Sequence, residues 1–241
     1  MLASRALLVK QVAAVLTKQP VCLAHQSGDW GNWGNTNIAV VFSGCGWWDG
    51  TDIHEAAYTM YHLSRNGARF QLFAPNQQQM HVVDHMKGQP ASGENRSTFN
   101  SDGKDCKINH DVERIMKEFH RSRKPIGLSC MAPILACRVL PSLEVTMGQE
   151  RDESSRWGRW PYTSMVQAVK SMGARHSIRE PYISFTQPGL PTHVTHEVQV
   201  DEKNKVISTP TFMWETDYHY HYIFDGIGSM VKHVMRMTAS K

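Results

Sequence analysis

"KPIGLSCMAPILACRVL", residues 124–140, decides how the chain is read. Up to Cys130 it has the short apolar run of a buried strand; from Met131 it has the length and residue types of a helix. A cysteine therefore falls at a strand-to-helix junction. A tight turn there presents a side chain at the carboxyl end of the sheet, where open α/β folds build their sites. The amides that open the next helix, and its dipole, favour a thiolate and predict a pKa below the ordinary thiol value. Such a thiolate can attack an aldehyde, an acyl carbon or a peroxide. Taken without its neighbours, the same residue is a small buried side chain, as free cysteine commonly is.

Outward from this junction the pattern alternates. Residues 38–43 read as a buried strand and Asp52 to Arg65 as a helix, with Ile53, Ala56, Ala57, Met60 and Leu63 at helical spacing. "ARFQLFAP" is a second strand stopped by Pro75. The stretch 76–109 carries nothing stronger than "MHVVDHM", and Val112, Ile115, Met116 and Phe119 form the stripe of another helix. "SLEVTMG" and "NKVISTP" are further strands, 163–173 a helix, and the tail from about Glu215 to Thr238 largely helical. "ISFTQPGLPTHVTHE", 183–197, reads as irregular, with Pro188 and Pro191 in it. Strands alternating with helices predict an α/β fold with an open, mainly parallel sheet.

Lys and Arg number 26 and Asp and Glu 22. Three of the basic residues, Arg5, Lys10 and Lys18, lie in a leader with no acidic residue before Asp29, so the remainder is close to neutral. Leu7, Leu8, Val12, Val15 and Leu16 can share one helical face there, a composition that predicts a mitochondrial import signal over residues 1–29. The balance left after it does not suit nucleic acid as a partner. No apolar run reaches the roughly 20 residues of a membrane span. Cys22, Cys45, Cys106, Cys130 and Cys137 form no C-x-x-C pair, which points away from a zinc finger or disulfide framework and toward a reducing compartment. His219 and His221 have no further ligands at suitable spacing, so no metal site is read.

A second candidate is the turn "SGCGWWDGTDIHEA", residues 43–56. Gly44, Gly46 and Gly50 come one residue too long for the dinucleotide fingerprint, and Trp47 and Trp48 stand where backbone must approach a pyrophosphate. A nucleotide cradle is therefore disfavoured.

"NIAVVFSGCGWWDGTDIHEA", "FAPNQQQMHVVDHMKG", "STFNSDGKDCKIN", "RKPIGLSCMAP" and "HYIFDGIGSMVKHV" together resemble the mitochondrial ES-one family. That family is also called glutamine amidotransferase-like class 1 domain-containing protein 3, is related to the bacterial glyoxalase ElbB, and is similar to the DJ-one/PfpI superfamily. The resemblance covers most of residues 37–240. It implies a single flavodoxin-like, class I glutamine amidotransferase-like domain and a mitochondrial location. It also implies a homodimer, no cofactor, and a small reactive carbonyl as substrate. By the same resemblance Cys130 is the elbow nucleophile and Glu55 the carboxyl group beside it, acting as general acid and base. Gly44, Gly46, Gly127 and Met131 would shape that site.

The departures are informative. PfpI-type peptidases carry a histidine after the nucleophile, where this chain has Met131, and class I glutaminases use a His-x-Glu that "ETDYHYHY" does not supply. Protease and glutaminase activities are disfavoured. At Arg96-Ser97 the family pattern skips about 35–45 residues, the length of a helix-and-strand unit with its loops. The missing strand would be central, between the first strand and the one leading to Cys130, and its glycine loop would give backbone donors to the site, each worth about 2.7–4 kcal/mol. Residues 183–197 look like an insertion. The chain so altered predicts weak stability and impaired catalysis, with a non-catalytic interaction or redox-sensing role as the alternative function.

Overall fold

The computed structural model describes residues 36–43, 50–74, 83–84, 89–90, 108–155, 158–179, 184–187, 190–192 and 198–239. The chain divides into two units at Gly31, and every described residue belongs to the second, Asn32–Lys241. The import-signal reading of residues 1–29, the turn glycines Gly44 and Gly46, and the junction at Arg96 lie outside the described residues.

The elements run β1 (Asn37–Val41), α1 (Ile53–Arg65), β2 (Arg69–Phe73), β3 (Val83–Asp84), β4 (Gln89–Pro90), α2 (His110–Arg121), β5 (Ile126–Ser129) and α3 (Ala132–Val139). They continue with β6 (Glu144–Val145), β7 (Glu153–Ser155), β8 (Gly158–Trp160), α4 (Thr163–Ser171), β9 (Arg175–His176), β10 (Ser184–Gln187), β11 (Leu190–Thr192), β12 (Gln199–Asp201), β13 (Val206–Thr209) and α5 (Tyr220–Ala239). Local chemistry sets the helix ends. Asp52 caps α1 by accepting from the His54 and Glu55 amides at 2.8 and 3.1 Å, and Asn109 caps α2 in the same way. α3 has no side-chain cap, but Pro133 in its first turn suits a helix start.

β1 and β2 pair in parallel from Asn37↔Arg69 to Val41↔Phe73, with α1 as their crossover. β5 pairs in parallel with β13, from Ile126↔Val206 to Ser129↔Thr209, and β12 adds antiparallel to β13. Alternate residues of β13 face opposite cores, as a pleated strand requires. Val206 packs with Leu128, Ile134, Val145 and Val166 on the side of α3 and α4. Ile207 packs with Val40, Leu63, Ile227, Met230 and Val231 on the side of α1 and α5. Gly127 lets α5 lie close on β5: a Cβ there would stand 3.0 Å from Val234 Cγ2 and 3.3 Å from Met230 Sδ.

The sheet is interrupted where the missing strand would sit. Among the described residues, β1 is paired on one edge by β2 and β5 on one edge by β13, and no ladder joins the two groups. β1 was expected to be buried, yet within it only Val40 is; Val41, Leu72 and Phe73 are exposed. α5 spans the interruption, its apolar face reaching both Val40 of β1 and Ile207 of β13.

Three other expectations need correction, and one hairpin was not expected. "SLEVTMG" gives a ladder only at Glu144–Val145, paired with β9. Beyond it the Thr146 amide donates to Ser208 Oγ (2.8 Å) and the Met147 amide to His176 Nε2 (3.0 Å), so side chains replace ladder partners. The tail helix starts at Tyr220, because Glu215 is held in an antiparallel bridge with Arg159 by two 2.9 Å backbone bonds. The "irregular" 183–197 contains the β10–β11 hairpin, with Gln187 opposite Leu190 and Pro188-Gly189 between them in sequence. A β7–β8 hairpin, with Glu153 opposite Trp160, has too little apolar alternation to be read from sequence.

Candidate active site

Cys130 follows the last residue of β5 and precedes α3 by one residue. Its backbone is left-handed, with φ 55°, a conformation sparsely populated by residues other than glycine. Its amide donates to the Thr209 carbonyl at 3.2 Å, extending the β5–β13 ladder by one bond. The sharp turn leaves the thiol half-buried at the carboxyl end of β5.

Glu55 comes to the same place from the opposite side of the interruption. It lies in the first turn of α1, where the Asp52 cap fixes its amide, and its side chain is buried rather than solvated. Its carboxylate accepts from Thr211 Oγ1 at 2.6 Å, from the Phe212 amide at 3.4 Å and from Ser129 Oγ at 3.4 Å. The Cys130 thiol lies beside it, near enough for each group to shift the other's ionisation. Cys130 and Glu55 are thus brought together.

Burial pushes the Glu55 carboxyl above the usual carboxylate range, with the Asp52 charge adding to it, against the Thr211 and Phe212 bonds that pull the other way. Cys130 is pushed well above the ordinary thiol value, first by burial and then by the Glu55 charge. This reverses the expected direction. The helix start offers the sulfur the single Met131 amide, and that is outweighed by desolvation and an adjacent carboxylate. Two acids in contact share protons, and two adjacent negative charges in a buried site are costly. A single negative charge on the pair can therefore sit on the carboxylate or on the sulfur, with the other group protonated.

Met131 supplies that amide and packs its side chain at the edge of the α3–α4 core. Gly127 sits three residues before the thiol and sets the approach of α5. His219 stacks on Trp214 and His221 lies tilted against Tyr222, with centroids 6.3 and 4.1 Å apart. Cys137, on α3, is buried and pushed up to about 12, which makes it a poor nucleophile.

Thr211, Ser129 and Tyr162 belong to the neighbourhood and were missed. Tyr162 interacts electrostatically with Cys130, and its hydroxyl donates to Glu215 Oε1 at 2.7 Å. Glu215 is also paired with Arg159 at 2.5 Å. Thr211 was findable in principle: it follows "NKVISTP", and the carboxyl ends of neighbouring parallel strands line one site.

No family model matches the chain. The mitochondrial ES1 protein of Danio rerio is 68% identical over an alignment of 283 positions, which takes in 99% of this chain and 100% of that protein. The human glutamine amidotransferase-like class 1 domain-containing protein 3, also mitochondrial, is 44% identical over 83% of both chains. The chain belongs to the mitochondrial ES1 family. The ES1 protein homolog of Rattus norvegicus, 43% identical over 83% of this chain and 84% of its own, is mitochondrial as well, and family membership places this protein in the mitochondrion. An alignment of 283 positions exceeds the 241 residues present by 42, so at least that many positions of the alignment with the zebrafish ES1 protein have no residue of this chain opposite them. Among solved structures, an isoprenoid biosynthesis protein with an amidotransferase-like domain from Ehrlichia chaffeensis superposes with a TM-score of 0.58 at 21% identity, over 84% of this chain and 99% of that one. That likeness shows the fold of this ES1-family chain as the amidotransferase-like, flavodoxin-type open α/β sheet.

Proposed function

We propose that the site acts on small reactive carbonyls of the glyoxal and methylglyoxal type, with Cys130 as nucleophile and Glu55 as proton carrier. The observation that carries this reading is a buried carboxyl set 3.4 Å from Ser129 Oγ, the residue next to a thiol on a left-handed elbow. The Cys130 sulfur adds to the aldehyde carbon while its proton passes through Glu55 to the aldehyde oxygen, giving a hemithioacetal. The Glu55 carboxylate then removes the proton on that carbon, and the electron pair shifts to form an enediol as the adjacent carbonyl oxygen is protonated. Proton return to the adjacent carbon and loss of the hydroxyl proton give a 2-hydroxy thioester. One carbon is oxidised and its neighbour reduced, so no external oxidant enters. Water then cleaves the thioester, releasing the hydroxy acid and the thiol. The same attack on a glycated adduct is the deglycase version.

Donors for the developing oxyanion are expected in the positions this chain lacks, and losing one such donor costs roughly 100-fold or more in rate. Methylglyoxal turnover should therefore be measured beside that of the zebrafish ES1 protein. The relative is expected to be active, this chain slower by roughly that factor, and its Cys130→Ala variant inactive. A relative without turnover, or a Cys130→Ala variant with full activity, overturns the reading. An import signal ending near residue 29 and a homodimer are parts of the same proposal. N-terminal sequencing of the protein from mitochondria and sedimentation velocity test them.

A further inference from the structure

Thr211 stands out because its backbone is left-handed and its buried hydroxyl bonds a carboxylate. It begins the short 3-10 turn Thr211–Met213 after β13 and is buried, with φ 45°. A β-branched residue in the left-handed region is a steric outlier, and such outliers persist where the surroundings hold them. Here the surroundings are the site itself. Two residues earlier, the Thr209 carbonyl receives the Cys130 amide, and one residue later the Phe212 amide points at Glu55. The unusual φ places Thr211 Oγ1 2.6 Å from Glu55 Oε1, and the same hydroxyl is near enough to the Cys130 thiol to favour its charged form.

A threonine hydroxyl has one proton to donate. It can support a negative charge on Glu55 or on Cys130, but not on both together. We propose that Thr211 is a positioning residue whose single hydroxyl proton follows the charge, donating to Glu55 in the resting pair and to the Cys130 sulfur when the proton has moved to Glu55. The other ionisable groups facing the pair are fixed in place: Asp52 at the cap of α1, and Tyr162 ahead of α4, held on Glu215, which is itself paired with Arg159 of β8. Serving the sulfur as well as the carboxylate, Thr211 lowers the cost of the proton exchange that each covalent step of the proposed reaction needs. The inference rests on that reading only in treating Cys130 and Glu55 as the working pair.

The test reads the pair without substrate, so it can fail or succeed whether or not carbonyls are turned over. In a Glu55→Gln background the hydroxyl has one anion left to serve, the Cys130 thiolate. The rate of Cys130 alkylation by iodoacetamide is followed at pH 8 by mass spectrometry in Glu55→Gln, alone and combined with Thr211→Val or Thr211→Ser. Valine keeps the shape and the branched Cβ. It is expected to slow alkylation about tenfold and to move the rate–pH curve up by about one pH unit, the size of one hydrogen bond to a charged group, while serine stays near threonine. Buried Cys137 serves as the folding control. If the valine variant exposes Cys137, Thr211→Gly is read in its place, since glycine accepts the left-handed backbone and also lacks the hydroxyl. A hydroxyl-free variant that alkylates as fast as threonine, or a serine variant as slow as valine, overturns the proposal.

Discussion

Glu55 decides the behaviour of Cys130 more than the helix behind the cysteine does. Its charge and its bond both hold the thiol up, so Glu55→Gln removes two of the causes at once. We expect Cys130 in Glu55→Gln to alkylate roughly tenfold faster at pH 8 while methylglyoxal turnover is lost, since the proton carrier is gone. Equal or slower alkylation would contradict the placement of the carboxylate against the sulfur. The position of Cys130 was legible in the sequence because a strand, a turn and a helix are local patterns. Its protonation was not, because burial and the approach of a residue 75 positions earlier are properties of the packed chain. Thr211 escaped for a related reason: a threonine after a strand looks like any turn residue until the carboxylate it bonds is known.

At the scale of elements, the contact between α1 and α5 depends on one glycine. A Cβ on Gly228 would meet three atoms of the His62 imidazole at 2.6–3.0 Å. That ring cannot simply swing aside, because its Nε2 bonds the Phe224 carbonyl at 2.9 Å and burial keeps it neutral, so that nitrogen is the donor. Gly228→Ala should therefore cost about 1–3 kcal/mol by overpacking, read as a lower Tm, and should loosen the seat of Glu55 on α1. An unchanged Tm would show that α1 and α5 do not meet this closely. The helices themselves were readable from apolar spacing and caps. Of the short strands, β6 was readable within "SLEVTMG", whereas β7, β8 and β9 are two or three residues long and leave no alternation to read; the Arg159–Glu215 bridge that extends β8 is a distant partner. The β10–β11 hairpin hid behind its prolines: Pro191 lies within a strand, a position proline tolerates at a sheet edge.

For the whole molecule, two buried histidines give stability a direction with pH. His176 is held below the usual imidazole range, chiefly by burial, with Nε2 accepting from the Met147 amide and Nδ1 facing Glu150; burial lowers His62 too. A folded-state pKa below the unfolded one means that the unfolded chain binds the proton first. The stabilisation is present above the ordinary histidine value and is lost as pH falls through the lowered folded values. Glu55, raised by burial, works in the opposite sense: its contribution is present below the ordinary carboxylate value and is lost as pH rises through its folded value. Tm should therefore fall as pH is taken from about 7.5 to 5, with a shallower fall in His176→Asn and a steeper one in Glu55→Gln. A flat profile would place both imidazoles in water. No helix among the described residues is long and apolar enough to cross a membrane, and the acid loss is a property of the folded domain. The interruption between β1 and β5 bears on how that domain comes apart. The β1–α1–β2 unit is tied to the rest by the α5 face and by the bonds of Glu55, without a shared ladder among the described residues. It has the makings of a separate foldon, one that opens as a block before the β5–β12–β13 sheet does and carries the acid half of the pair away from the thiol each time it breathes.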